Sequence, residues 1–296
     1  MHRLKVEIEC AECIIHRGRS EIVEASKDTT LQFKAIRALF AFLAKEFKAS
    51  AVPAYLGTER DRIVRKVTRH PDPYVTTKKL SNKKALEMLP LAEKIIAESP
   101  SAEMRFRKAL LCSIVGNVIE FDIPAHAFQF GDLEKLIQQS DGDLAIDEVS
   151  KIFNLARRAK MILYLTDNAG EIAFDKLLVK ELKQLGANVT VAVKESPVLN
   201  DATLEDAKFV GMDKIADTII TTGTDAVGLN LKKSSKEFLK LYNSADLIIA
   251  KGMGYAETVT EKSLTRPHAL LLRTKCNPVA RFFGVPREKN VAKIML

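Results

Sequence analysis

Two polar side chains directly follow a short apolar run near the middle of the chain. Residues 161–165, MILYL, have the length and apolarity of a strand buried on both faces. Asp167 and Asn168 follow at what would be the carboxyl end of that strand. Ligands of open α/β sheets bind in the crevice outside these ends, and carboxylate and amide oxygens suit Mg²⁺ or Mn²⁺. The stretch therefore predicts a metal site, although Asp and Asn also commonly cap helices.

The turn that follows has residues expected near a phosphate. Gly170 allows a sharp backbone turn, and a helical pattern begins at Glu171. The first N–H groups of a helix have no partners within the helix and attract anions. We therefore predict that Gly170 and Glu171 form a phosphate-facing turn.

The ends of other predicted strands carry residues of the same kind. Strand 188–193 runs into a loop with Asn200 and Asp201, and strand 246–250 runs into Lys251. Parallel strands bring their carboxyl ends to one edge of a sheet, so we expect these side chains to converge. Each has an ordinary structural interpretation, because Asn200 and Asp201 can cap the next helix and Lys251 can lie on the surface. Their occurrence together favours a site.

These residues predict phosphate chemistry assisted by a divalent metal ion. Asp167, Asn168 and Asp201 can supply part of an octahedral oxygen site, with water and substrate oxygens completing it. A metal ion held there polarises phosphoryl oxygens and lowers the pKa of a bound water, which gives a nucleophile at neutral pH. Lys251 can balance the negative charge that develops in the transition state. We expect the substrate to contact residues of the same strand ends, namely Asn168, Gly170, Glu171, Asn200 and Lys251.

The chain lacks several familiar catalytic signatures. It has no G-x-x-x-x-G-K-[ST] loop and no H-E-x-x-H motif. Gly252 and Gly254 resemble half of a dinucleotide fingerprint, but Glu257 stands where the third glycine would be. Asp167 is not followed two places on by a second aspartate, which argues against an aspartyl-phosphate enzyme of the haloacid dehalogenase type. P-loop hydrolysis, nicotinamide chemistry and a His-based zinc site are therefore disfavoured.

A second candidate site lies near the start of the chain, where Cys10 and Cys13 form a C-x-x-C motif. The pair can bind zinc together with distant ligands such as His16, Cys112 or Cys276. It can also be redox-active, or it can consist of two small packed side chains. Cys276 follows a predicted strand, so the motif could approach the same crevice from the helical part of the chain. The sequence leaves these alternatives open.

The pattern of apolar residues changes at residue 143. Residues 15–118 are helical throughout, and residues 119–143 are typical of a connection with one short helix. Strands and helices alternate from residue 144 onward. The predicted elements are helix 144–159, strand 161–166, helix 171–185, strand 188–193, helix 203–210, strand 218–221, helix 234–243, strand 246–250 and strand 269–273.

This alternation predicts an α/β fold. We expect a doubly wound, three-layer α/β/α parallel sheet of about five strands, with an N-terminal all-helical subdomain. Residues 1–143 would form the helical domain and its connecting loop. Residues 144–296 would form a Rossmann-like domain that binds the metal and the phosphate.

The composition and net charge of the chain indicate which classes of partner it favours. Its 296 residues include 46 basic and 38 acidic ones, and the formal charge of +8 favours anionic partners in general, nucleotides and phosphorylated metabolites as much as nucleic acid. The partner we expect is a small phosphorylated metabolite. No aromatic platform accompanies a basic stripe, so nucleic-acid binding is disfavoured. We expect no membrane association and a cytoplasmic protein, because the chain has neither a membrane span nor a signal peptide core. Four cysteines are too few for a disulfide framework, and nothing specifies the oligomeric state.

Over nearly its whole length the chain resembles the metal-dependent damage-control phosphatases, a family long catalogued as a domain of unknown function. The order and spacing of several short motifs carry the resemblance, and the C-x-x-C motif is similar to the prokaryotic and archaeal branch. These motifs are Cys10-x-x-Cys13, Asp72-Pro73-Tyr74, Gly116-Asn117-Val118-Ile119, Asp167-Asn168-Ala169-Gly170-Glu171, Val198-Leu199-Asn200-Asp201-Ala202-Thr203, Lys251-Gly252-x-Gly254-Tyr255 and Lys275-Cys276.

The resemblance implies a fold and a cofactor. It implies an α/β/α core with a helical N-terminal part, and a divalent metal that is typically Mn²⁺, Ni²⁺, Co²⁺ or Mg²⁺. The metal ligands of the family match Asp167, Asn168 and Asp201, the residues already selected from the strand ends.

The resemblance also implies substrate contacts. Asn117, Glu171 and Lys251 would lie at the substrate phosphate or sugar. Relatives often have Asp after Gly-Asn-x-Ile, whereas this chain has Glu120, with Asp122 two places on. The role of this acidic position is therefore not assigned.

Together these features predict a phosphatase that hydrolyses phosphate monoesters of small metabolites. Its substrates would be damaged or side-product sugar phosphates or nucleotides. One alternative is an S-adenosylmethionine-dependent carboxyl methyltransferase, an activity once suggested for the family. Another is a non-catalytic protein that binds nucleotides or nucleic acid through its positive charge.

Overall fold

The N-terminal part of the protein is helical, as the sequence predicts. The structure is a computed structural model that describes residues 3–116, 135 and 139–296. Between residues 3 and 116 all regular elements are helices. They are α1 (Cys10–Ala25), α2 (Thr29–Glu46), α3 (Pro53–Thr68), α4 (Val75–Ala97) and α5 (Ala102–Val115).

A seven-stranded sheet follows within the described residues. Its strands are β1 (Leu144–Asp147), β2 (Met161–Leu165), β3 (Asn188–Val193), β4 (Thr218–Thr221), β5 (Leu247–Lys251), β6 (His268–Arg273) and β7 (Asn290–Met295). The helices between them are α6 (Val149–Ala156), α7 (Glu171–Gln184), α8 (Leu204–Phe209), α9 (Lys236–Ser244), α10 (Gly252–Val259) and α11 (Asn277–Phe283). The fold is therefore α/β, as predicted.

The order of the strands creates a crevice at the site. The sheet runs β1-β7-β6-β5-β2-β3-β4. Strands β4, β3, β2, β5 and β6 are parallel, and the chain leaves β2 in one direction toward β3 and later returns on its other side as β5. The carboxyl ends of β2 and β5 therefore flank the topological switch point, where ligands bind in such sheets.

The two strands at one side of the sheet, β1 at the edge and β7 next to it, depart from the prediction of an entirely parallel sheet. Strand β7 pairs antiparallel to β6, and β1 pairs parallel to β7. The helix predicted over 144–159 is wrong at its start, because residues 144–147 alternate between half-buried and exposed side chains as an edge strand. The helix begins only at Val149. Helices α10 and α11 were also missed, because they are short and have glycine or proline in their first turns, Gly252 and Gly254 in α10 and Pro278 in α11.

The hydrophobic cores connect the two parts of the chain. Apolar residues of α4 and α5 share one large core with α7 and one face of the sheet. The residues of α1, α2 and α3 form two smaller clusters of their own. The domain boundary predicted at residue 143 stays a prediction. Across the described ranges, no helix is both long and apolar enough to cross a bilayer.

Candidate metal and phosphate site

A backbone bridge joins the two loops that carry the predicted metal ligands. Asn168, after β2, and Asp201, after β3, form an isolated antiparallel pair. The carbonyl of Asp167 accepts a hydrogen bond of 2.8 Å from the N–H of Ala202. The three predicted ligands, from two strand ends, are thus held side by side by main-chain contacts.

Asn200 contributes its main chain to this bridge. Its carbonyl accepts a hydrogen bond of 2.9 Å from the N–H of Ala169. Helix α8 is capped instead by Thr203 and Asp206, which form a capping box. Asn200 and Asp201 are therefore not the cap of this helix, which was the structural alternative for them.

Asp201 has a buried oxygen that lacks a hydrogen-bond partner. The residue is 3% exposed, and its Oδ2 atom has no such partner among the described residues. The Nζ atom of Lys194 lies 3.5 Å from this oxygen. Burial raises the pKa of Asp201 to about 6, although Lys194 opposes the shift. A buried carboxylate oxygen with this environment has capacity for a further cation.

The side chain of Asn168 is oriented by two carboxylates. Its Nδ2 atom donates to Asp167 Oδ2 and to Glu171 Oε2, both at 3.0 Å. Because the amide nitrogen is engaged in this way, the atom that Asn168 can offer a cation is its Oδ1 oxygen. Glu171 is buried and begins α7, so it fixes this amide from the adjacent helix.

Lys251 lies below this layer in a fully buried ion network. Its Nζ atom donates to Glu171 Oε1 at 2.5 Å, to Asp175 Oδ1 at 2.8 Å and to the carbonyl of Ser113 at 2.8 Å. Three protein acceptors therefore match its three protons. The predicted contact of Lys251 with a phosphoryl group is not part of this arrangement; instead Lys251 compensates the buried charge of Glu171 and Asp175.

Within this network the pKa values of Asp175 and Lys251 are both raised. Burial raises the pKa of Asp175 to about 6, with Lys251 opposing the shift. Burial disfavours the charged form of Lys251, but Asp175 and Glu171 outweigh it and raise the pKa of this lysine. Tyr164, at the centre of β2, donates a hydrogen bond of 2.7 Å to Asp175. Lys251 therefore stays charged while it holds Glu171.

Lys194 is a residue of the site that the sequence interpretation missed. It is 1% exposed and donates to the carbonyls of Ala226 and Gly228, at 2.9 and 3.1 Å. Its Nζ atom also lies 4.7 Å above the ring of Tyr255. Burial lowers the pKa of Lys194, but Tyr255 and Asp201 outweigh this effect and raise it. Its position directly after β3, at a strand end, is the signal that could have identified it.

Two glycines are required for this packing. Gly252 has φ +81°, and a Cβ atom there would lie 1.8 Å from Asp167 Oδ2. Gly170 has φ +78°, its N–H donates to Asn82 Oδ1 at 2.7 Å, and a Cβ atom would lie 3.0 Å from Ser81 Cβ. Gly252 therefore lets β5 approach the carboxylate of Asp167, and Gly170 lets the turn pack against α4.

The residues at the switch point fit a hard divalent cation. Their atoms are two carboxylates and an amide oxygen, which are ligands that Mg²⁺ and Mn²⁺ prefer. Asp201 Oδ2 supplies the orphaned buried atom that such an ion would satisfy. No group of three His, Cys, Asp or Glu side chains is arranged to hold a metal ion in the described ranges, and the present set has only two carboxylates.

The cysteine motif lies at the start of α1, beside the segment that carries Cys276. Cys10 begins α1, and Cys276 directly precedes α11. A hydrogen bond of 2.8 Å from Asn277 to Glu9 brings the two segments together. Burial raises the pKa of Cys10 and raises that of Cys276 to about 11. All four cysteines are free thiols, Cys13 is exposed and Cys112 is buried in the core. The zinc, redox and packing interpretations stay predictions.

Three residues of the sequence interpretation lie outside the described residues. They are Asn117, Glu120 and Asp122. Asp167, Asn168, Asp201, Gly170 and Glu171 are brought together, with Lys251 behind Glu171. The sequence offered no signal for Asn82 and Asp61, which reach the site from helices of the N-terminal part.

Comparison with known proteins identifies the family to which this chain belongs. Residues 6–291 match the family model described as the damage-control phosphatase ARMT1-like domain. The chain belongs to this family. The damage-control phosphatase assignment thus confirms the resemblance that the motifs predicted.

Three similar proteins match this chain over 95% or more of their own length. An uncharacterized protein of Methanocaldococcus jannaschii is 41% identical, with 97% of this chain and 95% of the relative covered. A damage-control phosphatase of Archaeoglobus fulgidus is 35% identical, with 99% and 100% covered. The crystal structure of a DUF89 family protein from Pyrococcus horikoshii has a TM-score of 0.87 at 34% identity, covering 98% of this chain and 99% of that one.

Proposed function

We propose that the protein is a metal-dependent phosphatase that hydrolyses phosphate monoesters of small metabolites. Relatives that match almost end to end are named damage-control phosphatases. The observation that carries the proposal is the bridge between Asn168 and Asp201, which places two carboxylates and an amide oxygen beside each other at the switch point. The substrates we infer are damaged or side-product sugar phosphates or nucleotides.

The cation would be held by Asp167, Asn168 and Asp201. When bound, a divalent cation supplies positive charge that polarises a phosphoryl group and lowers the pKa of water, so that hydroxide is available near neutral pH. Mn²⁺, Ni²⁺, Co²⁺ and Mg²⁺ are the candidates.

Glu171 and Lys251 would act as positioning residues. Glu171 accepts from the amide of Asn168 and turns the oxygen of that amide toward the crevice. The Nζ atom of Lys251 lies 2.5 Å from Glu171 Oε1 and compensates the charge of this buried carboxylate. This role for Lys251 replaces the direct contact with a phosphoryl group that the sequence interpretation assigned to it.

The amide groups around Gly170 would complete the phosphate-facing surface. Helix α7 begins at Glu171, directly beside the proposed ligands, so the positive end of its dipole faces the crevice. Lys194 adds a second buried positive charge behind Asp201. A phosphate dianion brought into this crevice would therefore meet a favourable potential.

An assay of phosphate release with added metals tests the proposal. The wild type should hydrolyse p-nitrophenyl phosphate, or a member of a panel of sugar phosphates and nucleotides, with Mn²⁺, Ni²⁺, Co²⁺ or Mg²⁺, and EDTA should abolish the activity. Asp167→Ala and Asp201→Ala should each lower kcat/KM by at least about a hundredfold. Asp213→Ala, which changes an exposed aspartate, is the matched control.

Four outcomes would contradict this function. Activity that persists in Asp167→Ala, or that resists complete removal of metal, would exclude the proposed cation site. Binding of S-adenosylmethionine without any release of phosphate across the panel would favour a methyltransferase. Steeply salt-dependent RNA binding in a protein with no esterase activity would favour the non-catalytic alternative.

A further inference from the structure

Helix α3 presents one polar face to both loops beside Asp201. Thr58, Asp61, Arg62 and Arg65 are spaced so that they lie on the same side of a helix. All four contact main-chain or side-chain atoms of the segments that follow β3 and β4. The N-terminal helical part therefore touches the edge of the sheet where the proposed ligands lie.

Asp61 holds the loop that carries Asp201. Its side chain is fully buried, and Oδ1 accepts a hydrogen bond of 3.0 Å from the N–H of Leu199. Leu199 has φ +50°, a left-handed conformation that costs a residue other than glycine about 1 kcal/mol or more. Arg65 Nε donates to Oδ2 of Asp61 at 2.6 Å and fixes the carboxylate. Asp61 thus stabilises a strained residue two places before Asp201.

The same helix holds the loop that carries the partners of Lys194. Thr58 Oγ1 accepts a hydrogen bond of 2.9 Å from the N–H of Val227, and Arg65 donates to Asp225 at 2.8 Å. The carbonyls on either side of Val227 belong to Ala226 and Gly228, which bind Lys194. Helix α3 therefore holds both the loop that carries Asp201 and the loop whose carbonyls bind Lys194, the partner of Asp201.

We infer that Asp61 is a positioning residue for the metal ligand Asp201: by accepting from Leu199 N–H it holds the loop in the strained conformation that directs the carboxylate of Asp201 to the crevice. The inference rests on the proposed function, because it assigns Asp61 to the same cation site. The N-terminal helices would then support metal binding through Asp61, although all the proposed metal ligands belong to the sheet part of the chain.

Metal binding without substrate is the readout that tests this role. We expect Asp61→Ala to weaken Mn²⁺ binding, measured by titration calorimetry on the full chain, by about tenfold or more, as for other supports of metal ligands. Asp61→Asn keeps an oxygen at the Oδ1 position for Leu199 N–H, so its Mn²⁺ affinity should stay within about threefold of wild type. Lys66→Ala, an exposed position of the same helix, is the control.

A merely structural role makes a different prediction. If Asp61 served only as the ion-pair partner of Arg65, Asp61→Asn would lose as much Mn²⁺ affinity as Asp61→Ala, because neither side chain carries the charge. That result would overturn the inference, as would a folded Asp61→Ala protein with wild-type affinity. Should Asp61→Ala fail to fold, Asp61→Ser, whose hydroxyl is too short to reach Leu199, should show the same tenfold loss.

The metal titrations also distinguish a wrong cation site from a wrong role for Asp61. A wild-type protein that binds no Mn²⁺, Ni²⁺, Co²⁺ or Mg²⁺ would overturn the cation site itself and the role of Asp61 with it. A wild type that binds metal, together with an unaffected Asp61→Ala, would overturn only the role of Asp61. The activity assay is independent of both titrations.

Discussion

Gly252 and Asp167 are so close that no side chain fits at position 252 without displacing the carboxylate of Asp167. An alanine at position 252 would place its Cβ atom 1.8 Å from Asp167 Oδ2, on a backbone with φ +81°. We expect Gly252→Ala to displace the carboxylate, to reduce phosphatase activity and Mn²⁺ affinity by at least about tenfold, and to destabilise the fold by about 2 kcal/mol. Calorimetry and chemical denaturation measure the two effects.

Gly284→Ala separates strain from displacement. Gly284 has φ +67°, but no atom lies within 4 Å of the Cβ position. This control should lose only about 1 kcal/mol of stability and keep its Mn²⁺ affinity. Equal losses of affinity in the two variants would show that backbone strain, rather than contact with Asp167, controls the site.

Sequence reasoning selected several residues that follow strands, but it missed Lys194 after β3 and the residues that reach the site from helices of the N-terminal part. Asp167, Asn168 and Asp201 could be chosen because a parallel sheet gathers its carboxyl ends. The same rule pointed to Lys251 but not to its burial, which depends on Glu171 and on the packing of α5. Asp61 could not be chosen, because nothing in a helical pattern says which distant loop its polar face will meet.

At the scale of elements, the side chain of Asn82 joins α4 to the turn at Gly170. Asn82 accepts from Gly170 N–H at 2.7 Å and donates to Asp206 Oδ1 at 2.8 Å, and it is 1% exposed. We expect Asn82→Ala to cost about 2 to 3 kcal/mol in guanidinium denaturation, because it leaves two buried polar groups without a partner. Asn154→Ala, at an exposed helical position, should change stability by less than about 0.5 kcal/mol.

A loss of stability in Asn82→Ala no greater than that in Asn154→Ala would contradict this description of the α4 contact.

The positions of the strands could be predicted only in part from the sequence. The central strands have apolar runs that a buried parallel strand requires, so their positions were predicted to within a residue. Strands β1 and β7 lie at or next to one edge, where a short run such as Leu144–Asp147 has no pattern that distinguishes a strand from a helical turn.

At the scale of the whole molecule, Glu257 makes stability depend on pH. It lies on α10 and faces α1 and α3, and burial raises its pKa to about 8, against a hydrogen bond from the backbone of Ala54 and the charge of Arg17. The folded state therefore keeps a proton that the unfolded chain releases near its ordinary pKa of 4.5. Stability should fall as the pH rises from about 5 to 8, because the native state binds more protons there.

Glu257→Gln should remove this dependence. We expect the free energy of unfolding of the wild type to fall by about 3 to 4 kcal/mol more than that of the variant between pH 5 and pH 8. Urea denaturation at both pH values measures the difference. Glu205→Gln, which changes an exposed glutamate, should follow the wild type. Parallel pH curves for wild type and Glu257→Gln would show that Glu257 is ionised in the folded protein.

The bridge between Asn168 and Asp201 also has a consequence for the order in which the protein folds. All three proposed ligands belong to one β-α-β unit, from β2 to the loop after β3. Contacts within such a unit are closer in sequence than those that bring in β5 or the N-terminal helices, so they form with a smaller loss of chain entropy. A cation could therefore bind while the rest of the chain is still unfolded, and would then accelerate refolding as well as stabilise the native state.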